Sequence, residues 1–352
     1  MKEWEDKIRK VVPYVPGEQP NKKHMIKLNT NENPYPPAPK VKTVIKEMDD
    51  TKFRLYPDPT ANALVKAIAE QYQLEENQVF VGVGSDDVLA MAFLTFFNSD
   101  KPILFPDITY SFYDVWADML RIPYQTQPLD ENFQICFMDY EKENGGVIFP
   151  NPNAPTGILV NLDFIEEILK QNQDVIVIVD EAYIDFGGIS ALPLLKKYEN
   201  LLIVQTFSKS RSLAGIRIGY AMGNPALIQA MQDVKYSFNS YTMNLPSIQI
   251  GVAAVQDTSY FEKTREKIIA TREWTKVKLK ELGFSFADSM TNFIFVTHKS
   301  YAAKDIFEYL KTRDIYVRYF SSNPRIQNYL RISIGTDQEM DCLIAVLKEY
   351  LK

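Results

Sequence analysis

The chain has 352 residues, 46% of them hydrophobic, enough to fill the cores of about two domains. Lys and Arg number 39 against 45 Asp and Glu, and the resulting net charge of −6 argues against non-specific binding to nucleic acid or to an anionic membrane. Two cysteines, Cys136 and Cys342, are too few for a disulfide framework and lack metal-ligand spacing, while two distant histidines, His24 and His298, disfavour a histidine triad or a zinc site, so no metal is expected. Residues 1–10 are charged and lack the apolar stretch of a secretory signal, and no run reaches the roughly 18 apolar residues of a membrane span. The expectation is a cytoplasmic protein.

No internal repeat is present. Residues 29–40 are rich in Pro and Asn and read as an ordered, irregular arm. Helical periodicity begins at Pro59, with Ala61, Leu64, Val65, Ile68, Ala69 and Tyr72 on one face. A strand over 79–83 then turns through Gly84-Ser85-Asp86 into a helix reaching about 97, with Ser85 or Asp86 as N-cap. Strands over 102–105, 146–149, 175–179 and 201–205 alternate with helices over 110–120 and 162–170. The run at 175–179 is unbroken and β-branched, which suits a parallel strand covered on both faces. This alternation predicts a large doubly wound α/β domain with a mostly parallel sheet over 45–247. Beyond it, a long charged helix over 259–282, strands over 293–296 and 329–334, and helices over 303–313 and 337–351 predict a smaller α+β domain over 248–352. Thr336 and Glu339 form a capping box for the last helix. Residues 1–44 form an N-terminal arm that packs with the small domain or a dimer partner.

Ligands of open α/β sheets bind at the carboxyl ends of the strands, and four loops lie there. They are Gly82-Val83-Gly84-Ser85-Asp86, Asn151-Pro152-Asn153-Ala154-Pro155-Thr156-Gly157, Asp180-Glu181-Ala182-Tyr183 and Thr206-Phe207-Ser208-Lys209. Singly, each has a plain structural explanation: a helix cap, a strand-ending acid, a solvated lysine. Together they bring an acid, an amide and a lysine beside a helix N-terminus that favours a phosphate. That is the equipment for a pyridine aldehyde phosphate. A lysine forms the imine, a carboxylate keeps the ring nitrogen protonated, and hydroxyls, amides and an arginine hold the phosphate. The first loop lacks the third glycine of a dinucleotide fingerprint, since residue 87 is Asp, which disfavours a nicotinamide dehydrogenase.

The order N-P-N-x-P-T-G, then D-E-A-Y, then S-K with Arg217 eight residues on, resembles the fold-type I, class II pyridoxal-phosphate aminotransferases. Within them, Leu28-Asn29-Thr30-Asn31-Glu32-Asn33-Pro34, Leu55-Tyr56-Pro57-Asp58-Pro59 and Tyr329-Leu330-Arg331-Ile332-Ser333-Ile334-Gly335-Thr336 resemble the histidinol-phosphate aminotransferase family. The resemblance implies pyridoxal 5′-phosphate as cofactor, histidinol phosphate and 2-oxoglutarate or glutamate as substrates, a place in histidine biosynthesis, and a homodimer.

It further implies Lys209 as the cofactor-bearing lysine and proton shuttle, Asp180 at the pyridinium nitrogen, Tyr183 at the phenolic oxygen and Tyr110 on the ring face. Gly84, Ser85, Asp86, Thr206, Ser208 and Arg217 would hold the phosphate, with Tyr56 reaching in from the neighbouring subunit. Arg331 would take the acceptor's carboxylate and Arg318 the donor's phosphate. Tyr14 would close over the substrate, and Glu32 could accept from the imidazole. One position departs from the pattern: Ala154 stands where the family has the asparagine that touches the phenolic oxygen, and Asn153 is the candidate substitute. An aromatic amino-acid aminotransferase and a threonine-phosphate-type decarboxylase share the scaffold and remain alternatives. A non-catalytic pyridoxal-phosphate regulator fits poorly, because no DNA-binding domain is evident and the charge is acidic.

Overall fold

The structure, a computed structural model, describes residues 2–15 and 17–352; Met1 and Pro16 of the expected arm lie outside it. After an irregular N-terminal segment comes a short strand, β1 (Ile26–Leu28), and then the irregular stretch that leads to α1 (Pro39–Glu47). There follow α2 (Asn62–Tyr72), β2 (Val79–Gly82), α3 (Ser85–Phe96), β3 (Ile103–Pro106), α4 (Tyr113–Leu120), β4 (Tyr124–Gln127) and β5 (Gly146–Pro150). Next are α5 (Leu162–Gln171), β6 (Val177–Asp180), β7 (Leu201–Thr206), β8 (Gly219–Gly223), α6 (Pro225–Phe238) and α7 (Leu245–Gln256). The C-terminal part holds α8 (Thr258–Glu281), β9 (Phe284–Phe286), β10 (Phe293–His298), α9 (Ala303–Thr312), β11 (Ile315–Tyr319), β12 (Leu330–Ser333) and α10 (Asp337–Tyr350).

The large sheet has the order β2-β8-β7-β6-β5-β3-β4. Strand β8 runs antiparallel to both its neighbours, and the other pairings are parallel. Every residue of β6 and β7 is buried, because helices cover both faces. On one face Leu64 of α2, Ile165 of α5 and Ile250 of α7 share a core; on the other Leu89 of α3, Trp116 of α4 and Met231 of α6 share a second. The domain is therefore the doubly wound α/β layer structure expected of its pattern. The smaller sheet has the order β1-β11-β12-β10-β9, with β1 added parallel to β11 as an edge strand. Helices α8, α9 and α10 close its core through Ile268, Ile306 and Leu343.

Three expectations change. The cut between residues 247 and 248 falls inside α7, whose Ile248, Ile250 and Val255 belong to the large-domain core. The helix expected from residue 110 starts at Tyr113, and Tyr110 stands ahead of it in a turn. The N-cap of α3 is Gly84, at φ +85°, with no side-chain cap; Asp86 is turned away to other partners. At α10 the capping box forms as expected, Thr336 Oγ1 accepting from Glu339 N and Glu339 Oε2 accepting from Thr336 N. Among the described residues no helix is long and apolar enough to cross a membrane.

Candidate active site

Strands β2, β5, β6 and β7 point the same way, so the loops that leave them meet at one edge of the large sheet. There they enclose a hollow of about 180 Å³, walled by Ser85, Asp86, Tyr110, Asp180, Tyr183, Thr206, Ser208, Lys209 and Arg217.

At its base Asp180, the last residue of β6, is buried. Its Oδ2 accepts from the wholly buried Tyr113 hydroxyl at 2.8 Å and its Oδ1 from Ala182 N at 3.2 Å. Burial pushes the carboxyl up to about 6, against the pull of those two donors. A cation beside it would reverse that cost. At one end α3 presents its N-terminus. Gly84 suits this position, since φ is +85° and a Cβ would lie 2.4 Å from Arg217 Nη2, which would have to move. Without a side-chain cap, the first N–H groups of α3 are left for an anion. Arg217 reaches across them and pairs with Asp86 at 3.0 Å, and Asp86 also accepts from the Tyr110 hydroxyl at 2.6 Å. An incoming anion must share Arg217 with Asp86. Burial, and after it the Asp86 charge, push the Tyr110 hydroxyl far above its ordinary value, so it stays a donor. Thr206 and Ser208 add hydroxyls 3.0 Å apart.

At the other end Lys209 Nζ donates to Thr30 O at 3.1 Å, so the arm holds the amine in place. Asn33 donates to the carbonyls of Lys209 and Ser210 at 3.0 and 3.2 Å and fixes the loop beneath it.

A second hollow of similar size opens beside the first and shares Thr30, Tyr110, Ala154, Tyr183 and Lys209 with it. Tyr14, Arg318, Phe320 and Arg331 complete it. Arg318 and Arg331 are direct cross-strand partners on β11 and β12, a like-charge pair that is unfavourable unless an anion lies between. Arg331 donates to Asn29 O at 3.1 Å, while its Nε is buried with no partner among the described residues. Burial, and after it the neighbouring Arg318, pull the Arg331 pKa below the ordinary arginine value. Tyr14 stacks on Phe112 with centroids 4.2 Å apart, which seats the arm over the mouth.

Most of the expected residues thus converge, two stand elsewhere, and Glu32 lines the cofactor-side hollow rather than the substrate side. Asn153 is buried and faces neither hollow: its amide donates to Ile108 O and Thr156 Oγ1 and accepts from Thr109, so it cannot replace the missing asparagine. Ala154 faces both hollows instead. Tyr56 is 83% exposed and packs against Tyr241 with tilted rings, centroids 4.7 Å apart, outside the hollows of its own chain. Glu32 lines the first hollow and not the arginine-lined one, engaged by Lys27 and by Thr30 Oγ1 at 2.8 Å. Burial alone would raise its pKa, and the bonds from Lys27 and Thr30 hold it below the usual carboxylate range. Pattern reading missed Tyr113, Asn31 and Asn33. Tyr113 is the second tyrosine of the T-Y-x-x-Y stretch, and the two asparagines belong to the Asn29-to-Pro34 motif, so the signal was the motif without a role attached.

These groups fit pyridoxal phosphate: a lysine amine, a buried acid short of a cation, and an uncapped helix end whose glycine leaves room for a guanidinium beside it. The Aminotransferase class I and II family matches residues 23–347. A histidinol-phosphate aminotransferase of Brachyspira hyodysenteriae is 53% identical over 348 residues, covering 99% of this chain and 98% of the relative. One of Clostridium acetobutylicum is 52% identical over 98% of each chain. Among solved structures, the histidinol-phosphate aminotransferase of Sinorhizobium meliloti in complex with pyridoxal-5′-phosphate superposes with a TM-score of 0.84 over 93% of this chain and 90% of that one. At 24% identity it speaks for the fold alone.

Proposed function

This chain belongs to the class I and II aminotransferase family, and on that premise we propose that it exchanges an amino group between L-histidinol phosphate and 2-oxoglutarate, with pyridoxal 5′-phosphate, in histidine biosynthesis. The observation that carries the reading is the pair of contiguous hollows. Lys209 stands on their shared wall, with the phosphate-type cradle on one side and the facing arginines Arg318 and Arg331 on the other.

Bound in the first hollow, pyridoxal phosphate would supply an electron sink for the reacting carbon. Lys209 Nζ would hold it and move the proton at the substrate's Cα. Asp180 holds the proton on the ring nitrogen, while Tyr183 donates to the phenolic oxygen. Tyr110 covers the ring face. The α3 N-terminus with Gly84 and Ser85, then Thr206, Ser208 and Arg217, hold the phosphate, and Asp86 orients Arg217 and Tyr110. In the second hollow Arg331 forks the acceptor's carboxylate, and Arg318 takes the donor's phosphate or the acceptor's distal carboxylate. Tyr14 closes over the substrate. Glu32, kept ionised by Lys27 and Thr30, is the acceptor offered to the imidazole N–H.

We read the protein as a cytoplasmic homodimer. Support comes from the exposed apolar group Phe53, Leu55, Tyr56, Phe238 and Tyr241, which suits a second copy, and from the unpaired thiols of Cys136 and Cys342. The test is half-reaction spectroscopy of the cofactor-loaded enzyme with histidinol phosphate, histidinol, phenylalanine and glutamate in turn. Histidinol phosphate should react fastest, and unphosphorylated histidinol should lose the contact to Arg318, worth roughly 10- to 150-fold. Equal use of the two alcohols, or a preference for phenylalanine, would replace this reading by an aromatic amino-acid aminotransferase.

A further inference from the structure

Tyr183 lines both hollows, and the bonds around Asn31 bear on which way its hydroxyl hydrogen points. Asn31 is buried, at a left-handed φ of +56° that asparagine tolerates. Its backbone N–H donates to Ser333 Oγ at 2.9 Å. The serine has one proton, and Asn31 Oδ1 lies 2.9 Å away to receive it. In the structure the Asn31 amide oxygen faces Ser333, and Nδ2 faces the Tyr183 oxygen at 2.9 Å. An amide N–H only donates, so Tyr183 accepts there. Its own proton then has no acceptor among the described residues and is free for a group bound in the cleft. Asn292 holds the Asn31 carbonyl at 2.9 Å, so the loop cannot turn to undo the arrangement.

We propose that Asn31 is a positioning residue that compels Tyr183 to donate, rather than accept, at the cofactor's phenolic oxygen. The inference rests on the reading of the first hollow as the pyridoxal-phosphate site. It is needed in this chain because Ala154 offers no second donor to that oxygen and Asn153 is turned away. Ser333 lies two residues beyond Arg331 on β12, and Arg331 holds Asn29 O just as Ser333 holds Asn31. The carboxylate-binding strand and the phenolic-oxygen donor are therefore joined by one buried bond chain.

The experiment is a pH titration of the visible absorption of the cofactor-loaded enzyme without substrate. The charged and titratable groups around Tyr183 are Lys209, Glu32, Asp86, Arg217, Arg318, Arg331, Asp180 and the tyrosines Tyr14, Tyr110 and Tyr113; the variants leave all of them intact, Asn31→Asp adds one carboxylate, and Ser333→Ala is the charge-neutral arm. Tyr183→Phe should move the transition up by roughly one to two pH units, because an anionic oxygen loses its donor. Asn31→Asp, whose carboxylate can only accept from the tyrosine, should move it up by a comparable amount. It should add little in the Tyr183→Phe background. Ser333→Ala, which frees the amide to flip, should move the transition part way, and it reads the same amide if Asn31→Asp does not fold. Ala154→Asn should bring the Asn31→Asp transition back toward wild type. A shift in Tyr183→Phe with none in Asn31→Asp or Ser333→Ala overturns the inference alone, as does an additive shift in the double variant. A wild-type protein that gains no visible absorption with pyridoxal phosphate overturns the cofactor reading along with it.

Discussion

Asp180 sits under two opposed influences, and their balance can be measured on the cofactor-free protein. Its ordinary pKa is 3.8, and burial carries it to about 6 in the fold. Below pH about 4 the carboxyl is protonated in both folded and unfolded chains and costs nothing. Between about 4 and 6 the unfolded chain gives up the proton while the fold keeps it, so stability falls. Above about 6 the cost is complete, on the order of 3 kcal/mol. Urea unfolding across this range should show the decline, and Asp180→Asn should flatten much of it. Glu181, buried next door and pushed up to about 7, keeps its own slope. Tyr113→Phe removes a donor to the charged form and should extend the decline to higher pH. An Asp180→Asn protein with the wild-type slope would show that the carboxyl is not held up by burial. The D-E-A-Y motif made Asp180 legible from the sequence. Tyr113 was not, because a tyrosine 67 positions away becomes its partner only when β6 and α4 are packed together.

Two helix ends illustrate how an element can serve stability or a ligand. Helix α10 is closed by Thr336 and Glu339, each satisfying the other's backbone. This was readable as T-x-x-E, since both partners lie within four residues. Thr336→Ala should lower the unfolding free energy by about 1 kcal/mol, measured by denaturant titration. An unchanged midpoint would mean that tertiary packing alone holds the helix end. Helix α3 is left open. Gly84, whose missing side chain makes way for Arg217, occupies the cap position, and Asp86 serves Arg217 and Tyr110. Local rules favour Ser85 or Asp86 as cap because they weigh only the helix's own N–H groups. They cannot register a guanidinium arriving from residue 217. Strand β8 was missed for a related reason: glycines at 219 and 223 give it no apolar alternation, and its place is set by close approach, a Cβ on Gly219 falling 2.3 Å from Gly84 C.

At the scale of the whole molecule, Tyr56 is the residue whose own chain gives it no site. If it completes the phosphate cradle of a second copy, two inactive variants should rescue each other. Mixing Tyr56→Phe chains with Lys209→Ala chains would yield heterodimers in which one site is intact and the other doubly damaged. Activity should reappear on mixing, in proportion to the heterodimer seen by native mass spectrometry. Exchange without recovered activity would place the whole site in one chain. The test needs Tyr56→Phe to be strongly impaired by itself, which one bond of roughly 1.5–3 kcal/mol to a charged group can achieve.

The sequence by itself determined the doubly wound domain and the four loops at its strand ends, and it singled out Lys209, Asp180 and Arg217, which the fold brings to one hollow. Each follows from a local pattern: apolar runs of strand length, turn residues and short motifs whose members lie close along the chain. Only the tertiary structure decided that β1 leaves the arm to become an edge of the small sheet, which carries Thr30 and Asn31 to Lys209 and Tyr183. Only it set Arg318 opposite Arg331, turned Asn153 inward and placed the Asn31 amide against Tyr183. These outcomes depend on strand register and on which buried donor finds which acceptor, and both are settled by contacts between segments hundreds of residues apart.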